Sequence, residues 1–85
     1  MEWCFRQRIL TLAPLETIEY RRLDWADTFV VVERGNLEIE CDSGTRAWFG
    51  AGAMLAFADL NLKYLRNTGC DQLVLRALSR IRPDE

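Results

Sequence analysis

Apolar and polar residues alternate with a period of two along most of the chain, in short runs separated by glycine, proline, asparagine and aspartate. That is the pattern of β-strands joined by turns. It is clearest from Asp27 to Asp42, DTFVVVERGNLEIECD. Thr28 to Glu33 is rich in β-branched and aromatic residues, and Leu37, Ile39 and Cys41 alternate with Glu38 and Glu40, giving the second run one buried and one wet face. Between them, Arg34-Gly35-Asn36 offers two residue types that accept positive φ cheaply, so the stretch predicts a hairpin on which the other strands pack.

Upstream, Trp3 to Leu12 predicts a first strand, with Trp3, Phe5 and Ile9 on one face and Cys4, Leu10 and Leu12 on the other. A strand apolar on both faces sits between two layers or presents one side to another chain. Pro14 ends the pairing, and Glu16 to Leu23 resumes as a strand with Ile18 and Tyr20 opposite Thr17, Glu19 and Arg21. Asp24, Trp25 and Asp27 then break the pattern: they form either a ligand site or an Asx-type turn with Trp25 folded over the end of the fold or into a subunit contact. After the hairpin come strands at Thr45 to Phe49, Ala53 to Phe57, Leu62 to Arg66 and Gln72 to Leu78, separated by turns, and residues 80–85 read as a flexible tail. About eight short strands without a helical stretch predict a single all-β domain over residues 1–85. Its edges must be closed or covered, which favours an antiparallel jelly roll or β-barrel.

Composition narrows the function classes. An 85-residue domain with 49% hydrophobic content buries only about 60–65% of the surface its unfolded chain exposes, so a second copy is expected to stabilise it, through Trp3, Phe5 and Ile9 in the segment 1–15. Eleven basic and thirteen acidic residues form no long run of either sign, which argues against nucleic acid or a membrane as partner. The nearest basic cluster, Arg6, Arg8, Arg21 and Arg22, reads as solvated strand faces. With three scattered cysteines and no histidine, the usual zinc and copper sites lack ligands, so neither metal nor cofactor is expected. The start Met-Glu-Trp-Cys-Phe-Arg has no basic segment followed by an apolar core, no apolar run approaches about 20 residues, and the odd cysteine count suits a reducing compartment; these place the chain in the cytoplasm.

The spacing resembles that of the cupin family of small jelly-roll barrels, over roughly Ile18 to Leu78. Thr28-Phe29-Val30-Val31-Val32-Glu33-Arg34-Gly35 is similar to the end of the first cupin motif, in which a metal-binding glutamate stands seven residues before a glycine. Gly52, then five residues, Ala58-Asp59-Leu60, two residues, Lys63, three residues and Asn67 matches the spacing of the second motif, G-x5-P-x-G-x2-H-x3-N. The glutamate position is Thr28, the histidine position is Lys63, and Arg21 to Asp24 stand where the first-motif histidines would fall. No metal ligand is kept, so the family's metal chemistry does not carry over. The resemblance implies a barrel with a lumen lined by Thr28, Val30, Val32, Lys63, Leu65 and Asn67, with Tyr20 and Arg22 added, and dimerisation through N-terminal strands.

Alternation alone disagrees over Lys63, because it sets Leu60, Leu62 and Tyr64 on the buried face and Lys63 on the wet one. An inward lysine needs an acidic partner, for which Asp24 and Asp27 are the candidates; an outward one is an ordinary surface residue. Three functions follow. The first is a metal-free, cupin-like protein that binds a small organic ligand in the barrel or serves as a homodimeric accessory protein. The second is a metal-independent isomerase, cyclase or lyase using Lys63 with Asp24 or Asp27. The third is a structural partner subunit.

Overall fold

In the computed structural model, which describes residues 4–81, eight strands form two antiparallel sheets of four. They are β1 (Cys4–Leu12), β2 (Thr17–Glu19), β3 (Thr28–Arg34), β4 (Leu37–Cys41), β5 (Arg46–Phe49), β6 (Met54–Ala56), β7 (Leu62–Asn67) and β8 (Leu73–Ile81). The first sheet runs β1-β8-β3-β6 and the second β2-β7-β4-β5. Alternation explains how they meet: Val30, Val32, Leu73, Leu75 and Ala77 of the first sheet face Leu37, Ile39, Leu62 and Leu65 of the second, and all are buried. No ladder joins one sheet to the other among the described residues, so no closed barrel forms. Three of the four edge strands, β2, β5 and β6, have only three or four residues, so the edges left open are short.

The expected hairpin from Thr28 to Cys41 is corrected by this topology. β3 pairs with β6 and β8, whereas β4 pairs with β5 and β7, so Arg34-Gly35-Asn36 carries the chain from one sheet to the other. The crossing packs tightly: Gly35 has φ +89° and a Cβ there would lie 2.7 Å from the Gln72 carbonyl oxygen, while Asn36 does not adopt positive φ. The chain-adjacent hairpin is β4 to β5, closed by Cys41 N–H to Thr45 O and Gly44 N–H to Cys41 O, both 2.8 Å.

Two other expectations change. The second strand is confined to Thr17–Glu19, because Arg22–Trp25 coils into a 3-10 turn, and a second such turn occupies Phe57–Asp59. These turns close one end of the sandwich with aromatic rings: Trp25 and Tyr20 meet Phe57 edge-on at 5.2 and 6.1 Å between centroids. Trp25 thus folds over the end of the core. The last strand continues through Arg80 to Ile81, pairing Cys4 with Ile81 and Phe5 with Arg80, so the tail expected from residue 80 is strand that far. Its remainder, 82–85, lies outside the described residues, as does Trp3.

Candidate functional site

The two inner faces meet as packed core rather than as an open lumen. Of the residues expected to line one, Thr28, Val30, Val32, Leu65 and Asn67 are buried, Tyr20 is half-buried, and Arg22 and Lys63 are exposed. A β-bulge explains Lys63. Glu40 pairs with Tyr64 but Cys41 pairs with Leu62, leaving Lys63 as the extra residue. Parity flips there, so Leu62 and Leu65 both point inward, and Lys63 reaches back over the outside of the Tyr64 ring, 5.4 Å from its centroid. Asp24, within the 3-10 turn, and Asp27, two residues past its end, are both exposed, and neither pairs with Lys63. The inward position of Lys63, and with it the proposed lysine–aspartate couple, is therefore corrected.

Asn67 sits in the core for a structural reason. Its Nδ2 donates to the carbonyls of Leu12 (3.1 Å) and Asp71 (2.8 Å), and its Oδ1 accepts from the Gly69 N–H (2.9 Å). All its hydrogen-bonding groups are engaged in holding the end of β1 and the β7–β8 turn together, so none is turned to a ligand. Thr28 is likewise engaged: its hydroxyl donates to the Ala26 carbonyl (2.9 Å) and lies 2.8 Å from that of Ser79.

The outer faces of the two sheets differ in chemistry. On the second, Glu38 and Glu40 lie between Arg46 and Arg66 at 3.3 to 3.7 Å, and Arg66 Nε donates to Thr17 Oγ1. Glu38 is only 4% exposed, set in its cross-strand row between Trp48 of β5 and Arg66 of β7 and paired with both arginines, so a glutamate expected on the wet face is buried; Trp48 itself is 62% exposed. The first sheet instead turns out Phe5 (62% exposed), Ile9 (56%), Phe29 (52%) and Met54 (67%), with Val31, Val74 and Leu78 half-buried among them. Register sets these in cross-strand rows, Gln7–Leu78–Phe29–Ala56 and Ile9–Arg76–Val31–Met54. Arg76 Nη2 bonds Glu33 at 2.7 Å within this face, while its buried Nε has no acceptor among the described residues.

Three grooves open at the Trp25 end. One of about 350 Å3 runs between β1 and β2, along Leu10, Ile18 and Trp25. Another of about 400 Å3 lies over Arg6, Arg8 and Ser79, and a third of about 280 Å3 lies by Phe5, Phe29 and Arg80. Arg8 separates the first two, with Nη2 donating to the Asp24 carbonyl (2.7 Å) and its guanidinium 5.5 Å from the centre of the Trp25 ring. Sequence reasoning had Phe5 and Ile9 in view but missed Phe29 and Met54, which join them only through the β8–β3–β6 pairing. The inward parity of Arg6 and Arg8 was readable, since they alternate in step with Leu10 and Leu12. Among the described residues no group of three or more His, Cys, Asp or Glu side chains could hold a metal ion. No described helix is long and apolar enough to cross a membrane. Compared with known proteins, the chain matches no family model, no curated protein and no solved structure.

Proposed function

We propose that this chain is a metal-free jelly-roll module of cupin-like type, a cytoplasmic accessory protein that works as a homodimer through the outer face of its β1-β8-β3-β6 sheet. The jelly roll is supported by the pairing: first strand with last, second with seventh, third with sixth and fourth with fifth, as when one long antiparallel ribbon is wound on itself.

The apolar outer face carries the functional reading. Phe5, Ile9, Phe29 and Met54 each leave more than half of their surface wet on one sheet, whereas the other turns out a charge ladder with a single exposed tryptophan, Trp48, beside it. Together they expose on the order of 400 Å2 of apolar surface, at the size where a patch marks an interaction site. That is about half of the roughly 800 Å2 each partner contributes to a standard interface, and the half-buried valines and Leu78 extend it. A two-fold contact suits a patch that carries both Arg76 and Glu33, because each copy then offers the other a carboxylate and a guanidinium.

Light scattering on a sizing column tests this. The expected mass at micromolar concentration is twice the 9.9 kDa of the chain, and Phe5→Asp or Phe29→Asp should return it to one chain. A monomeric wild-type protein overturns the proposal, and dimers that survive both substitutions place the contact elsewhere.

A further inference from the structure

The geometry points to a binding site for a small hydroxylated anion, a phosphate monoester or hydroxycarboxylate, in the groove over Arg6 and Arg8. This goes beyond the dimer reading and is independent of it, because both arginines lie on the face of β1 opposite Phe5 and Ile9.

Parity builds the site. Leu12 and Leu10 turn into the sandwich, and Arg8 and Arg6 continue the same face where β1 and β8 run on past the core. Two guanidiniums two residues apart on one strand face stand about 7 Å from each other at the backbone, close enough to share one anion. Their β8 partners, Ala77 and Ser79, are small, which leaves the groove of about 400 Å3 between the arginines and the 3-10 turn. That volume lies within the range of small-molecule sites.

Arg8 is already positioned. One nitrogen is held by the Asp24 carbonyl and the Trp25 ring lies beside the guanidinium, so little side-chain freedom is left to lose when its other N–H groups bind. Arg6 has no hydrogen bond or ion pair among the described residues and supplies an uncommitted fork. Against them the groove holds a single unpaired carboxylate, that of Asp24, in a chain whose formal charge is −2. Positive charge is thus concentrated at this place in an acidic protein.

Ser79 adds selectivity. A carbonyl oxygen only accepts, so the Thr28 hydroxyl proton goes to Ala26, and the 2.8 Å contact between the two hydroxyls uses the Ser79 proton. Ser79 therefore presents only lone pairs to the groove, and a ligand hydroxyl beside the anionic group complements it.

Amide chemical shifts followed at fixed ionic strength test the site with glycerol 3-phosphate, malate and succinate as probes and sodium chloride as reference. Saturable shifts at Arg6, Arg8, Asp24 and Ser79 are expected with glycerol 3-phosphate, malate or both, which tells a phosphate site from a carboxylate site, and malate should bind more tightly than succinate. Arg8→Met should weaken binding by about tenfold or more, and Arg8→Lys, which keeps the charge and loses the fork, should weaken it too. Arg6→Gln gives the same readout without disturbing the Trp25 contact should Arg8→Met not fold. Linear shifts shared with chloride, or binding unchanged in Arg6→Gln and Arg8→Lys, overturn the site; equal binding of malate and succinate overturns the Ser79 contact.

Discussion

Replacing Asn67 by alanine should cost about 2–4 kcal/mol. The side chain is fully buried and makes three hydrogen bonds, to the Leu12 and Asp71 carbonyls and from the Gly69 N–H. Removing it takes a hydrogen bond worth about 0.5–1.5 kcal/mol from the buried Leu12 carbonyl, which keeps its place opposite Leu73 in the β1–β8 ladder. The Asp71 and Gly69 groups lie nearer water and recover part of their loss, each costing about 0.5–1 kcal/mol, and the vacated volume adds a cavity term. A domain of this size has roughly 4–13 kcal/mol of stability in all, so the variant should stand near its limit of folding. Urea denaturation followed by tryptophan fluorescence would measure it, since Trp25 is buried in the native state. Protein concentration must be held constant, because a dimer is stabilised by mass action. Exposed Thr68→Ala provides the reference, expected within about 0.5 kcal/mol of wild type. A loss below about 1 kcal/mol for Asn67→Ala would refute the reasoning and show that water replaces the amide.

Gly35→Ala should lose about 2–3 kcal/mol and Gly44→Ala only about 1, since both have φ near +90° but only at Gly35 would a Cβ strike backbone, at Gln72 and Leu73; equal losses in thermal denaturation would mean that the sheet-to-sheet crossing yields. Lys63→Met and Asp24→Asn should each shift stability by no more than about 0.5 kcal/mol and add in the double mutant, and a coupling above about 1 kcal/mol would restore the lysine–aspartate pair. Leu15, exposed with φ 66°, pays for a left-handed conformation, and Leu15→Gly should raise stability by about 0.5–1 kcal/mol in the same denaturation assay.

How much of this was legible depends on which physical signal carried it. Strand existence was, because period-two alternation reports a local fact about each segment: all eight strands lie where the pattern put them, to within a few residues. Pairing was not. Gly35 and Asn36 fit a hairpin turn, but the same composition serves a crossing between sheets, and only the tertiary competition of β6 and β8 for β3 decides which occurs. The second strand was overestimated because Tyr20 and Arg22 keep the alternating pattern while the chain coils back to bring Trp25 onto Phe57. Burial of one large aromatic outweighs a few tenths of a kcal/mol of strand preference.

At the level of the site, the limit of alternation is that it counts residues and not bulges. Lys63 could be placed inside by spacing from Asn67 and outside by spacing from Leu62, and both counts are correct on their own side of the irregularity at Glu40–Cys41. The extra residue in β7 lets Leu62, Leu65 and Asn67 all face inward while the lysine remains in water, which removes the cost of a buried charge. The same arithmetic has the opposite outcome in β1. No bulge interrupts its pairing with β8 from Cys4 to Leu12, so the inward phase set by Leu12 and Leu10 carries unbroken to Arg8 and Arg6. The core ends before the strand does, and inward-facing guanidiniums beyond it are neither solvated surface of the ordinary kind nor buried charges. They line a groove whose floor is small residues and whose wall is the 3-10 turn, which is why the arginines of β1 rather than the lysine of β7 are where a ligand would be held.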